Sequence, residues 1–149
     1  MIVYADASAL VKMYVIEPSS KEVFELTKAA MSVATAVISR AEVAAALARC
    51  LRMHIVDDAG GQEAQRNFAR DWPHFVRIPV TEALVARAET LAWEWLLRGY
   101  DAVQLAAALI WQESIGQEVV LATFDRQLWH AGSRAGLETW PKQIGAGSI

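Results

Sequence analysis

The stretch EVVLATFD, residues 118–125, decides the fold class of this chain. Residues 119–122 are apolar without interruption, and an aspartate, Asp125, follows shortly after them. A nearly continuous apolar run of this length is typical of a strand that is covered on both faces, as in the centre of a parallel sheet. The stretch therefore predicts a central strand with a carboxylate just beyond its end.

The beginning of the chain repeats this arrangement. In MIVYAD, residues 2–5 predict a buried strand, and Asp6 follows it directly. Two further short strands are predicted over residues 32–37 and 75–80, and residues 137–140 indicate a last edge strand.

Helical patterns separate these predicted strands. They cover residues 9–15, 20–30, 38–54, 57–72, 81–97, 101–116 and 126–136. Ser8 is expected to cap the first helix, and Gly99 to lie just past the end of the fifth. Strands that alternate with helices imply an α/β fold, an α/β/α sandwich whose central sheet is mostly parallel. We expect one domain over residues 1–149, with a flexible tail at 144–149.

Composition limits the possible classes of protein. The hydrophobic fraction is 54%, above the usual range, which favours a protein partner or a homodimer. No apolar run approaches the ~20 residues that span a bilayer, and Cys50 has no second cysteine with which to pair. We therefore expect a cytoplasmic protein with no membrane attachment. A net charge of −3 argues against a bulk electrostatic grip on nucleic acid, but not against a local basic rim.

Four acids stand in the most hydrophobic surroundings of the chain. They are Asp6, Glu42, Asp101 and Asp125. Because the carboxyl ends of parallel strands share one edge, Asp6 and Asp125 are expected on the same side of the sheet. Taken singly, the three aspartates could be helix caps, and Glu42 could lie at a wet helix boundary. Gathered at one edge, carboxylates repel one another unless a divalent cation such as Mg²⁺ or Mn²⁺ lies among them.

Two hydroxyls flank the aspartates in sequence. Ser8 comes two residues after Asp6, and Thr123 two residues before Asp125. Both could serve the same pocket, although a helix cap and an ordinary strand threonine explain them equally well.

Four segments in this order resemble the PIN-domain family, and more closely the VapC toxins of toxin–antitoxin pairs. The segments are DASALVKMY, SRAEVAAALARCL, RGYDAVQLAAAL and LATFDRQL. The resemblance runs from residue 2 to about residue 140, and the family's acidic positions fall on the four acids above. One departure is Gln104, where many relatives carry a histidine. That histidine is not an acidic ligand, so we do not expect activity to depend on this position.

The resemblance implies an endoribonuclease that depends on Mg²⁺ or Mn²⁺, with RNA as substrate and a separate VapB-like antitoxin as partner. Asp6 and Asp101 would be the principal metal ligands and Asp125 a further one. Glu42 would complete the shell or orient the attacking water. Four cations near the acids would bind RNA phosphates, or would simply balance surface charge: Lys12, Arg40, Arg98 and Arg126.

Two other functions are compatible with acids at strand ends. A phosphotransfer domain is disfavoured because position 8 is serine and because no lysine follows LATF. A non-catalytic PIN-like module that binds RNA or protein remains open.

Among the six tryptophans, Trp93 and Trp111 lie within apolar helical patterns and are predicted to belong to the core.

Overall fold

The centre of the molecule is a five-stranded sheet in which every neighbouring pair of strands is parallel. In this computed structural model, which describes residues 1–145, the strands are β1 (Ile2–Ala5), β2 (Ser32–Ala36), β3 (Val76–Ile78), β4 (Val119–Ala122) and β5 (Glu138–Trp140). Their order across the sheet is β3-β2-β1-β4-β5. The prediction of a mostly parallel central sheet is confirmed, and the strand that begins the chain is its middle strand.

Seven helices connect the strands, and all seven lie where the sequence predicts a helix. They are α1 (Ala7–Leu10), α2 (Ser20–Ala29), α3 (Ser39–Arg52), α4 (Asp58–Asp71), α5 (Glu82–Trp95), α6 (Gly99–Ile115) and α7 (Arg126–Arg134). The first is shorter than predicted, because a 3-10 turn at Val11–Met13 replaces its second half.

The helices cover both faces of the sheet. Side chains alternate along β1, so Tyr4 packs into an apolar layer with residues of α5, α6 and α7. Val3 and Ala5 face the opposite layer, which contains residues of α1, α2, α3 and α4. This arrangement confirms the α/β/α sandwich, and it explains why both central strands, β1 and β4, are almost wholly apolar.

Two helix ends differ from the prediction. Ser8 does not cap α1, because the side chain of Asp6 accepts the free N–H of Ala9 instead. Gly99 does not end α5 but begins α6. The residue that caps the end of α5 is Leu96, which has the left-handed conformation with φ of 54°. The next residue, Leu97, is buried and donates its N–H to the carbonyl of Ala92, and this anchoring offsets the unfavourable backbone of Leu96.

The expectation for the tryptophans is half right. Trp111 is buried on α6, as predicted, but Trp93 on α5 is 88% exposed. Trp93 lies outside the buried face of α5, which is carried by Leu84, Ala88 and Leu91. It is therefore a surface residue, and the prediction that it belongs to the core is wrong.

Two further expectations concern the whole chain. Within the described residues, none of the helices combines the length and the apolar character needed to cross a bilayer. Of the predicted tail, Ile144 and Gly145 follow the last strand without regular structure, and residues 146–149 lie outside the described part of the chain.

Candidate active site

Asp6 is the innermost of the four acids. It follows β1 directly, its own N–H pairs with the carbonyl of Ala122 on β4, and it is only 5% exposed. Oδ1 accepts hydrogen bonds from the Ser8 hydroxyl (2.7 Å) and the Ala9 N–H (3.1 Å). Oδ2 accepts from the Thr123 hydroxyl (2.9 Å). Asp6 is thus both the cap of α1 and the centre of a small polar cluster.

The two hydroxyls also hold the loop after β4. Ser8 Oγ accepts the N–H of Phe124 (2.8 Å), and Thr123 Oγ1 accepts the N–H of Asp125 (3.1 Å). Each hydroxyl therefore donates to Asp6 and accepts from this loop. The alignment of β1 with β4, in which Ala5 lies beside Ala122, brings these groups together.

The Asp6 carboxyl resists ionisation in this setting. Burial raises its pKa to about 7, although hydrogen bonds from Ser8, Thr123 and Ala9 favour the charged form. The nearby charge of Glu42 raises the pKa further. Among the described residues, none of the ion pairs involves Asp6. A cation placed beside this carboxyl would favour its ionised form.

Glu42 reaches the same edge of the sheet from the first turn of α3 and is half-buried. Its Oε1 accepts a hydrogen bond from Nε2 of Gln104 on α6 (2.9 Å). Burial raises the pKa of Glu42, the Gln104 bond lowers it, and the charge of Asp101 raises it. Gln104 therefore contacts the site, although its position in the sequence predicts no role there. The signal that was available is a single amide within the otherwise apolar run AVQLAAAL.

Asp101 and Asp125 form the outer part of the site and share one arginine. Arg98 donates from Nε to Oδ2 of Asp101 (2.8 Å) and from a terminal nitrogen to Oδ2 of Asp125 (2.5 Å). Asp125 also caps α7 by accepting the N–H of Leu128 (2.9 Å). Asp101 lies inside the first turn of α6 and caps nothing. Burial and the charge of Asp125 raise its pKa, against the lowering effect of Arg98.

The four carboxylates form a row in which each acts on the next. The charge of Glu42 raises the pKa of Asp6, that of Asp101 raises the pKa of Glu42, and that of Asp125 raises the pKa of Asp101. The chain therefore brings the four predicted acids to one side of the molecule. In residues 1–145, however, no three His, Cys, Asp or Glu side chains are grouped closely enough to hold a metal ion. The Arg98 guanidinium joins two of them instead.

The four candidate RNA-binding cations have different surroundings. Lys12 binds Glu17 and the Pro18 carbonyl and lies over the Phe124 ring. Arg40 lies near the face of Trp72, with 5.9 Å between its guanidinium carbon and the ring centroid. Neither of these two residues lines the cleft beside the acids.

That cleft has a volume of about 870 Å³ and adjoins the outer part of the site. Ser8 and Asp125 line it together with three arginines, Arg49, Arg98 and Arg126. Arg49 was not among the predicted RNA-binding residues. Its spacing of two helical turns from Glu42 on α3 is the signal that could have indicated it.

No protein-family model matches the sequence. The family of this chain is shown instead by individual relatives. The ribonuclease VapC45 of Mycobacterium tuberculosis is 32% identical over 144 residues, which cover 96% of this chain and 97% of the relative. Among solved structures, the sarcin–ricin loop cleaving toxin VapC20 of M. tuberculosis matches with a TM-score of 0.62 and 19% identity over 91% of this chain and 95% of the other.

A second solved structure is VapBC2 of Rickettsia felis bound to a promoter DNA fragment. It matches with a TM-score of 0.63 and 15% identity over 94% of this chain and 99% of the other. The fold, with its parallel sheet flanked by helices, is that of a PIN-domain protein. The identity to VapC45 goes further, and the chain belongs to the VapC family of ribonucleases, as the resemblance implied.

Proposed function

We propose that this chain is a metal-dependent endoribonuclease and the toxin of a VapBC-type pair. The observation that carries the proposal is the row of Asp6, Glu42, Asp101 and Asp125 at the carboxyl edge of the sheet in a member of the VapC family. These acids come from distant parts of the chain. A role as helix cap explains Asp6 and Asp125 singly, but Glu42 and Asp101 lie inside the first turns of their helices and cap neither of them.

The donor set fits Mg²⁺ or Mn²⁺, since carboxylate and hydroxyl oxygens are the ligands that hard divalent cations prefer. Asp6 and Asp101 would be the principal ligands, with Asp125 and Glu42 completing the set. When bound, the ion would activate water and neutralise phosphate charge. For the carboxylates to gather, Arg98 must leave Asp101 and Asp125. Since Arg98 is largely exposed, its side chain has room to turn away.

The chain's own groups then have distinct tasks. Ser8 and Thr123 hold the Asp6 carboxylate in one orientation. Glu42 is the acid available to orient a water molecule and to accept its proton, because only one of its oxygens is bonded to Gln104. Asp125 is fixed by its role as the cap of α7.

RNA would approach through the cleft beside the acids. Arg49, Arg98 and Arg126 line this cleft and present three positive charges to phosphate groups. Lys12 is occupied by Glu17, and Arg40 lies apart from the cleft, so we propose no direct phosphate contact for these two residues. The net charge of −3 is thus compatible with a local basic rim.

The proposed protein partners are an antitoxin and a second copy of this chain. A toxin–antitoxin complex from Klebsiella pneumoniae matches this chain with a TM-score of 0.54 and 17% identity over 80% of this chain and 84% of the other. On this chain, large apolar side chains are exposed along the end of α5 and the start of α6, where Trp93 is 88%, Leu96 84% and Tyr100 64% exposed. Apolar exposure of this kind supports a protein interface. The homodimer stays a prediction.

RNA cleavage by active-site variants tests the proposal. Transfer, ribosomal and messenger RNAs would be incubated with the unsubstituted chain, with Asp6→Asn and with Asp101→Asn. Cleavage is expected only with Mg²⁺ or Mn²⁺. It should fall by roughly a hundredfold or more in both variants, because each removes a ligand charge that the transition state needs.

The matched control is Glu113→Gln, a carboxylate on the same helix as Asp101 that pairs with Arg87 on the surface. It should cleave like the unsubstituted chain. Equal cleavage by all four proteins, or cleavage that persists in a chelator, would refute the metal-dependent mechanism. A chain that binds RNA without cleaving it would favour the non-catalytic alternative, and transfer of phosphate to an aspartate would favour the phosphotransfer alternative.

A further inference from the structure

A buried polar cluster lies directly behind Glu42. It consists of Tyr4 on β1, Thr35 on β2, Ser39 on α3 and Gln104 on α6, and we call it the glutamine cluster. Each of its members is at most 1% exposed. It joins the central strands to both helical layers at a point where the interior is otherwise apolar.

The orientation of the Gln104 amide is fixed by Tyr4. The Tyr4 hydroxyl oxygen accepts the N–H of Ala36 (3.0 Å), and its single hydrogen goes to Oε1 of Gln104 (2.6 Å). The oxygen of the amide must therefore face Tyr4, and the nitrogen must face away from it. If the amide were inverted, its NH₂ group would face the hydrogen of the Tyr4 hydroxyl, and this hydrogen bond would be lost.

The amide nitrogen of Gln104 then has two hydrogens and two acceptors. One goes to Oγ of Ser39 (2.9 Å), which Thr35 also holds through a bond of 2.7 Å. The other goes to Oε1 of Glu42 (2.9 Å). Among residues 1–145, no group donates to the second oxygen of Glu42. Gln104 thus holds one oxygen of this carboxylate and leaves the other open.

Packing alone does not account for an amide at this position. Its neighbours on α6 are Leu105 and a run of alanines, all buried, and an apolar side chain would fill the same space without polar partners. An apolar residue would leave Tyr4 and Ser39 without this partner inside the core, and it could not link the core strand β1 to the Glu42 carboxylate.

We propose that Gln104 is a positioning residue, held by Tyr4, which orients Glu42 toward the ion and the water of the proposed active site. The inference rests on the proposed function, because it gives Glu42 a task in that site. Such a role for Gln104 is not predicted from the sequence.

Binding of Mn²⁺ to the metal-free full-length chain tests this role without any need for catalysis. Gln104→Met keeps the length of the side chain but removes the donor to Glu42. Loss of a group that orients a ligand typically weakens metal affinity by about 10- to 100-fold, and we expect about tenfold here, measured by calorimetry. In a Glu42→Gln background, Gln104→Met should cause no further weakening, since the amide acts through that carboxylate.

The matched control is Thr35→Val, which removes a buried hydrogen bond of the same cluster but touches neither Glu42 nor Gln104. It should lower the thermal midpoint about as much as Gln104→Met and leave Mn²⁺ affinity unchanged. Should Gln104→Met not fold, Tyr4→Phe decides the matter: the amide is then free to turn, and affinity should fall severalfold.

Unchanged Mn²⁺ affinity in Gln104→Met or in Tyr4→Phe would overturn the inference, as would an equal loss in Thr35→Val. If the unsubstituted chain binds Mn²⁺ and Asp101→Asn does not, the proposed metal site stands even when this inference fails. Absence of Mn²⁺ binding in the unsubstituted chain would overturn both.

Discussion

The two ends of the acid row are built in opposite ways. At the inner end, Asp6 is buried and held by three neutral donors, from Ser8, Ala9 and Thr123. At the outer end, Asp101 and Asp125 are half-buried, and the exposed Arg98 offsets part of their combined charge. Neutral donors fix the geometry of a carboxylate but leave much of its burial cost unopposed, as the raised pKa of Asp6 indicates. A flexible arginine neutralises charge and can be replaced by another cation.

The inner end of the site is therefore fixed before anything binds, whereas the outer end can rearrange. The inner end depends on the pairing of the middle strand, β1, with its neighbour β4. The outer end depends on one long side chain with 69% of its surface exposed. We therefore expect the inner end to influence stability and the outer end to influence affinity.

The largest effect is expected from Asp6→Asn, measured by unfolding at several pH values in a chelator. Because the pKa of Asp6 is raised to about 7 in the folded chain, that state binds more protons than the unfolded one between about pH 4 and pH 7. The free energy of unfolding therefore falls as the pH rises through this range. The variant avoids this loss, and asparagine is an equally good cap. It should be more stable above pH 7, by about 4 kcal/mol at most.

The gain from Asp6→Asn should shrink toward zero near pH 4. Glu113→Gln provides the contrast. Because Arg87 lowers the pKa of Glu113, replacement of this glutamate should give no gain in stability at high pH. A stability gain for Asp6→Asn that is the same at pH 5 and pH 8 would show that the burial cost of the charge is not its cause.

A smaller effect is expected from Thr123→Val, which keeps the shape of the side chain at the end of β4. The change leaves Oδ2 of Asp6 and the N–H of Asp125 without their partner. Buried groups that lose a partner cost about 1–3 kcal/mol of unfolding free energy. Thr139→Val is the control, since this buried threonine of β5 makes no side-chain hydrogen bond within the described residues. Denaturant unfolding measures both variants. Equal losses of unfolding free energy in Thr123→Val and Thr139→Val would mean that packing, and not the hydrogen bonds to Asp6, stabilises the inner end.

The smallest effect is expected from Arg98→Gln at the outer end. Removing the guanidinium frees Asp101 and Asp125 for a cation, so Mn²⁺ should bind about two- to fivefold more tightly, as exposed ion pairs are worth ~0.2–1 kcal/mol each. Calorimetric titration measures the change. Arg126→Gln, in the same cleft, should have less effect because no carboxylate binds Arg126 among the described residues. Equal tightening in both variants would assign the effect to net charge alone.

Much of the fold follows from local patterns. The apolar runs of β1 and β4 and the helical stretches between strands predict the sandwich, because periodicity records which faces are buried. The end of α5 does not follow, since Leu96 takes its backbone conformation from the burial of Leu97, a tertiary effect. Exposed Trp93 is mispredicted for a similar reason: hydrophobicity alone does not identify the buried face of a helix.

The candidate site is likewise predictable from the sequence only in part. The edge shared by Asp6 and Asp125 follows from the geometry of parallel strands. The bonds of Gln104 to Tyr4 and Glu42 do not, because they join residues far apart in the sequence and depend on how α3 and α6 are placed on either side of β1. Single cations were the least predictable, as the capture of Lys12 by Glu17 illustrates.

The order of the strands also governs when the molecule becomes complete during its synthesis. Of the strands described, β1 is synthesised first and lies in the middle of the sheet, and one of its two neighbours is β4, more than a hundred residues later in the sequence. A nascent chain that has reached only residue 118 lacks β4, Thr123 and Asp125, so Asp6 keeps Ser8 but has neither its second hydroxyl partner nor its fellow acid. The row of acids is therefore not assembled until residues 119–125 have been made.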